Sequence, residues 1–85
     1  MAELLTTADL VRLTGVKESV IRQYVLLGLI RPVARTESGR LRFDEKTVRL
    51  VKLIKELNRS GYTLREIREI FLERWWKRRE QGEEK

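Results

Sequence analysis

The chain has 85 residues, enough for one small domain. Its 19 Lys and Arg against 13 Asp and Glu leave a net charge of +6 and a pI near 10.2, which points to an anionic partner. With no Cys and no His, disulfides, Cys/His zinc sites, thiol nucleophiles and Ser-His pairs are excluded, as is the easiest general base near neutral pH.

The carboxylates sit in segments of mixed charge, where a solvated surface role is expected. A non-enzymatic protein without metal or cofactor is therefore the expectation. No apolar run approaches the roughly 20 residues that span a bilayer. The opening MAELLTTADL is too short and too acidic for a signal peptide, so a cytoplasmic location is expected. The charge is uneven: residues 1–62 carry 12 basic and 7 acidic side chains, whereas residues 63–85 carry 7 and 6. The anion-binding surface is expected in the first part.

In chain order, TTADLVRLTG predicts a first helix about two turns long, capped by Thr6 or Thr7 with Asp9 in the first turn. Leu10 and Leu13, with Ala8 and Val11 beside them, are its expected apolar face, and Gly15 ends it. A second helix is expected from Lys17 or Glu18 to Leu27, stopped at Gly28. Val20, Ile21, Tyr24 and Leu27 recur at helical spacing and should face the core. Lys17, Glu18, Ser19, Arg22 and Gln23 are left on the opposite face. Two short helices joined by a Gly-containing turn read as a helix-turn-helix, and neither is stable alone.

LIRPV and GRLRF then read as two short strands flanking ARTES. By the period of two, Leu41 and Phe43 should point inward and Arg40 and Arg42 outward. Pro32 confines the first strand to an edge. Asp44 is a good N-cap for a third helix through KTVRLVKLIKELNRS, with Val48, Leu50, Val51, Ile54 and Leu57 as its apolar stripe. The fourth helix opens on Thr63-Leu-Arg-Glu66, a capping box, and places Leu64, Ile67, Phe71 and Trp75 on one face. The expected fold is mainly α: a winged helix-turn-helix with a small two-stranded β-hairpin wing and two further C-terminal helices. The domain is expected to occupy residues 1–76, followed by a charged tail, 77–85.

The pieces LTTADLVRLTGV, IRQY followed by LGLIRP, RTESG, and RFDEKTVRLVKLIKELNRSGYTLREIREIF stand in one order and spacing. Together they resemble the DNA-binding domain of the MerR family of bacterial transcription regulators, from about Leu5 to Leu72. The sequence departs from that pattern in places. Gln23 stands where a first tyrosine is usual, Val25 where an acidic residue is usual, and Arg40-Leu41 where the wing usually has Tyr-Arg. The long coiled-coil helix and effector region of typical members do not follow. The chain is expected to be either the DNA-binding domain of a longer regulator or a naturally short member.

The resemblance implies a sequence-specific reader of double-stranded DNA that regulates transcription. Helix 17–27 would enter the major groove, and wing 31–43 would follow the backbone or minor groove. Arg22 would read guanine, Gln23 adenine, and Glu18 would accept from a cytosine amine or cap its own helix. Lys17 would touch phosphate and Ser19 would lie close to the DNA. Arg35, Arg40 and Arg42 would supply wing charge, with Thr36 and Ser38 donating to phosphates. Tyr24 is expected half in the core with its hydroxyl on a phosphate, and Arg12 beside the backbone. Trp75 and Trp76 cannot both be buried in so small a domain, so a protein interface is expected there. The partner at that interface would be a second copy, as homodimer or head-to-tail oligomer, or RNA polymerase or another protein. Two other readings stay open: an architectural DNA-binding protein of excisionase or terminase type, and a protein-interaction adaptor built on the Trp-bearing helix.

Overall fold

The computed structural model describes residues 4–73. Four helices and one hairpin follow in the order α1 (Thr7–Thr14), α2 (Glu18–Leu26), β1 (Ala34–Arg35), β2 (Leu41–Arg42), α3 (Glu45–Arg59) and α4 (Leu64–Phe71). The helix α1 packs on α2 and α3, and α3 packs on α4. The expected domain limit at residue 76, and Trp75 and Trp76 themselves, lie outside the described residues.

Three of the four helices among the described residues begin at a side-chain cap. Thr6 caps α1: its hydroxyl accepts from the Asp9 amide at 3.0 Å, and the Asp9 carboxylate accepts from the Thr6 amide at 2.9 Å. Asp44 caps α3, accepting from the Thr47 amide at 3.1 Å and the Thr47 hydroxyl at 3.0 Å. Thr63 and Glu66 form the same reciprocal box at the start of α4, with bonds of 2.8 and 3.0 Å. Helix α2 has no side-chain cap at its N-terminus. At the C-terminal end of α1, Gly15 adopts φ +75 and donates to the Val11 carbonyl at 2.8 Å, a conformation a β-carbon would strain.

The core gathers Leu10 from α1, Ile21 and Tyr24 from α2, Phe43 from the hairpin, Val51 and Ile54 from α3, and Ile67 and Phe71 from α4. The faces expected of α2, α3 and α4 are thus the buried ones. The face of α1 differs from expectation: Leu13 is 43% exposed and Ala8 is exposed, while Thr14 is buried. Leu10 and Thr14, four residues apart, share the side that meets α2 and α3, and Leu13 falls beside it. A buried threonine costs little here, because its hydroxyl donates to the Leu10 carbonyl at 2.6 Å and accepts from the Val16 amide at 3.2 Å.

The hairpin also differs. Leu29 and Ile30 are not strand residues; they turn inward after Gly28 and are almost fully buried, with both amides directed at the Tyr24 carbonyl. The first strand starts later, at Ala34, in the stretch expected to be loop. Two apolar residues after a left-handed glycine gain more by entering the core than by alternating along an edge. The register pairs Ala34 with Arg42 and Arg35 with Leu41, and a turn over Thr36 to Gly39 closes the tip. Phe43 is fully buried and Arg40 exposed, as the period of two requires, but Leu41 and Arg42 are both half-buried. At the base, Leu5 and Phe43 exchange two backbone hydrogen bonds of 2.7 and 2.8 Å, so the segment before α1 adds a bridge to the wing.

Candidate nucleic-acid interface

The Leu5–Phe43 bridge places the start of α1 beside the wing. Helix α2 crosses close to both, and a cleft of about 780 Å³ opens between them. It is lined by Thr6, Thr7 and Ala8 from the start of α1, by Glu18, Arg22, Val25 and Leu26 from α2, and by Arg35, Gly39, Arg40, Leu41 and Arg42 from the wing. Four arginines face one carboxylate there. The N-terminal end of α1 adds the positive pole of a helix, partly offset by Asp9 at that same end.

Arg22 and Glu18 lie one helical turn apart on α2 and form an ion pair of 2.8 Å, with side chains 71% and 56% exposed. A pair so exposed is worth at most about 1 kcal/mol, so Arg22 can leave it for a better acceptor. Lys17, at the N-cap of α2, and Ser19 and Gln23 on the helix are exposed outside the cleft lining. On the wing, Arg42 donates through Nη1 to the Leu41 carbonyl at 3.0 Å, which restrains its guanidinium; Arg35 and Arg40 are exposed. Thr36 serves the turn: its hydroxyl accepts from the Arg40 amide at 3.0 Å and lies 3.1 Å from the Ser38 hydroxyl.

The geometry separates the remaining sequence candidates. Arg12 pairs with Asp9 at 3.0 Å and is not among the residues that line the cleft. Asp9 ionises below its ordinary range, because the Thr6 amide and then the Arg12 guanidinium stabilise its carboxylate. Tyr24 was expected half in the core, but only 3% of it is exposed, and burial raises its phenol above the usual value. It has far less surface to offer a phosphate than the arginines have. Sequence reasoning missed the cleft contributions of Thr6, Thr7, Ala8, Val25, Leu26 and Leu41. Leu26, 86% exposed, lies four residues after Arg22 and eight after Glu18, so helical spacing could have found it. The place of the α1 N-terminus depends on a tertiary bridge and has no local signal.

Among the described residues no cluster of His, Cys, Asp or Glu is placed to hold a metal ion, and no helix is long and apolar enough to cross a membrane.

Residues 5–73 match the family described as MerR HTH family regulatory proteins. Among curated proteins, the chain is similar to the mercuric resistance operon regulatory protein of Bacillus cereus, with 42% identity over 53 residues, covering 62% of this chain and 40% of that protein. It is also similar to heavy metal-dependent transcription regulator 2 of Rhizobium meliloti (strain 1021), with 30% identity over 57 residues, covering 67% of this chain and 39% of that protein. The chain thus spans well under half the length of these relatives. Its fold is that of a MerR family transcriptional regulator from Bacillus cereus, with a TM-score of 0.73 at 22% identity over 85% of this chain and 54% of that one. A second solved structure is HiNmlR, a MerR family regulator lacking the sensor domain, bound to promoter DNA. It aligns with a TM-score of 0.70 at 29% identity over 80% of this chain and 54% of that one. With the matched region spanning nearly all the described residues, this chain belongs to the MerR family of helix-turn-helix regulatory proteins.

Proposed function

We propose that the chain is a sequence-specific DNA-binding protein that regulates transcription from promoters. The observation that carries this reading is the shared cleft, in which the outer face of α2 and the arginine-rich wing converge on one side of the domain. Helix α2 enters the major groove, where Arg22 and Gln23 read purines and Glu18 accepts from a cytosine amine. The wing follows the backbone, with Arg35, Arg40 and Arg42 on phosphates and the Ser38 hydroxyl donating to one. The relative solved on promoter DNA supports this placement. A homodimer on an inverted repeat, using the Trp75 and Trp76 region, and contact with RNA polymerase complete the proposal.

A salt titration tests it. If Lys17, Arg35, Arg40 and Arg42 each neutralise a phosphate, log K should fall against log salt with a slope of about −3.6 per copy. Affinity should then drop about 150-fold between 50 and 200 mM salt by that slope. A flat titration would remove the wing from the backbone.

A further inference from the structure

Helix α2 lacks a basic residue in its own last turn. The cation at that end comes instead from α4: Arg68 Nε donates to the Leu27 carbonyl at 2.8 Å, across 41 residues of sequence. The turn is shaped to allow it. Gly28 adopts φ +79, a left-handed conformation that a side chain would strain, and so turns the chain just past the Leu27 carbonyl. Beyond it, the Leu29 and Ile30 amides close back onto the Tyr24 carbonyl, at 2.9 and 3.4 Å. Arg68 follows the buried Ile67 and lies one helical turn before the buried Phe71, so its backbone is fixed to the core although its side chain is exposed.

We infer that Arg68 is a positioning residue for the reading helix, an inference that rests on the DNA-binding role of α2. Ile21 and Tyr24 pack the inner side of α2 into the core that Ile67 and Phe71 of α4 share, and Leu27 carries that packing to its C-terminal end. The bond to Leu27 ties that end to α4 as well. The constraint matters because α2 is short. Its 9 residues span roughly 13 Å at 1.5 Å per residue, so a tilt of about 5° moves one end by about 1 Å. A shift of that size is enough to misalign a bidentate base contact. A guanidinium at a helix C-terminus also opposes the negative pole of α2. Any displacement of α4 would therefore reach α2 through this bond.

The test compares the full chain with its Arg68→Ala and Arg68→Lys variants. Amide exchange of Leu29 and Ile30 should accelerate about fivefold in Arg68→Ala, the factor that one net, solvent-exposed hydrogen bond represents. Affinity for a site selected by the parent should fall several-fold, with the salt slope unchanged, and Arg68→Lys should recover part of both losses. Unchanged exchange and affinity in Arg68→Ala would overturn the inference. So would an equal loss on random DNA with a slope shallower by about 0.9, because Arg68 would then be a phosphate contact. A parent protein that selects no site would overturn the DNA-reading role itself. A parent that selects one while Arg68→Ala matches it would sink only the role of Arg68.

Discussion

Arg22 and Arg40 line the same cleft, one on the helix and one on the wing, and under the proposed function replacing each with alanine should separate base reading from backbone attraction. Arg22 lies on the helix face, and its partner Glu18 holds it at 2.8 Å in a pair that is largely exposed. Breaking that pair costs at most about 1 kcal/mol, whereas a bidentate contact with guanine contributes about 1–3 kcal/mol of discrimination. Arg22→Ala should therefore weaken binding to the selected site by that amount, roughly 5- to 150-fold, and relax the preference at one base pair. Its affinity for random DNA should change little. Arg40 is exposed on the wing, beside the turn. Arg40→Ala should weaken selected and random DNA alike and make the salt slope shallower by about 0.9, a factor of about 3.5 between 50 and 200 mM. Fluorescence anisotropy on both DNAs at several salt concentrations gives all these quantities. Equal losses on both DNAs for Arg22→Ala, with a shallower slope, would refute the assignment of Arg22 to a base.

Further outcomes follow from the fold. Phe43→Ala, which empties a fully buried site where the wing meets the Leu5 bridge, should cost about 3–5 kcal/mol in a urea titration, a large part of what so small a domain has. Thr63→Ala should remove one side of the α4 capping box and cost about 1 kcal/mol, lowering the melting temperature by about 4–8 °C. The carboxyl of Asp9 has a folded pKa below its ordinary 3.8, so its contribution is present above the unfolded value and lost as pH falls through the folded one. The melting deficit of Asp9→Ala should accordingly be full at neutral pH and shrink below about pH 4. A deficit that stays constant across that range would contradict the stated partners of Asp9. Thr36→Val should loosen the wing tip and weaken DNA binding more than Ser38→Ala, because Thr36 holds the Arg40 amide as well as Ser38.

Much of the architecture was legible because its signals are local. Asp44, and Thr63 with Glu66, begin their helices where their side chains can take the first free amides, and the glycines that stop helices have positive φ. The apolar spacing of α2, α3 and α4 names their buried faces, because 3.6-residue periodicity maps directly onto one side of a helix. What was not legible depends on contacts between distant segments. Leu29 and Ile30 look like a strand until the core that receives them is known. Thr14 displaces Leu13 from the core of α1 because a hydroxyl can satisfy itself on its own helix, which polarity scales do not count. The Leu5–Phe43 bridge, and with it the place of the α1 N-terminus in the cleft, is set by pairing across nearly forty residues of sequence. The arginines of the candidate site were legible by charge and alternation, and Leu26 by its helical spacing from Arg22, but Val25 and Leu41 were not, since a half-buried apolar residue reads as ordinary core packing.

Reading of DNA sequence by α2, with the wing held on the backbone, is put to the test by selection from a random duplex pool at moderate salt, followed by sequencing. The expected result is an enriched motif containing a guanine whose preference is lost with Arg22→Ala. An inverted repeat would support the homodimer, and a direct repeat or single half-site would keep the reader without the symmetric pair. No enrichment from a folded protein would contradict the account and leave the arginine wing as a surface for something other than a DNA sequence.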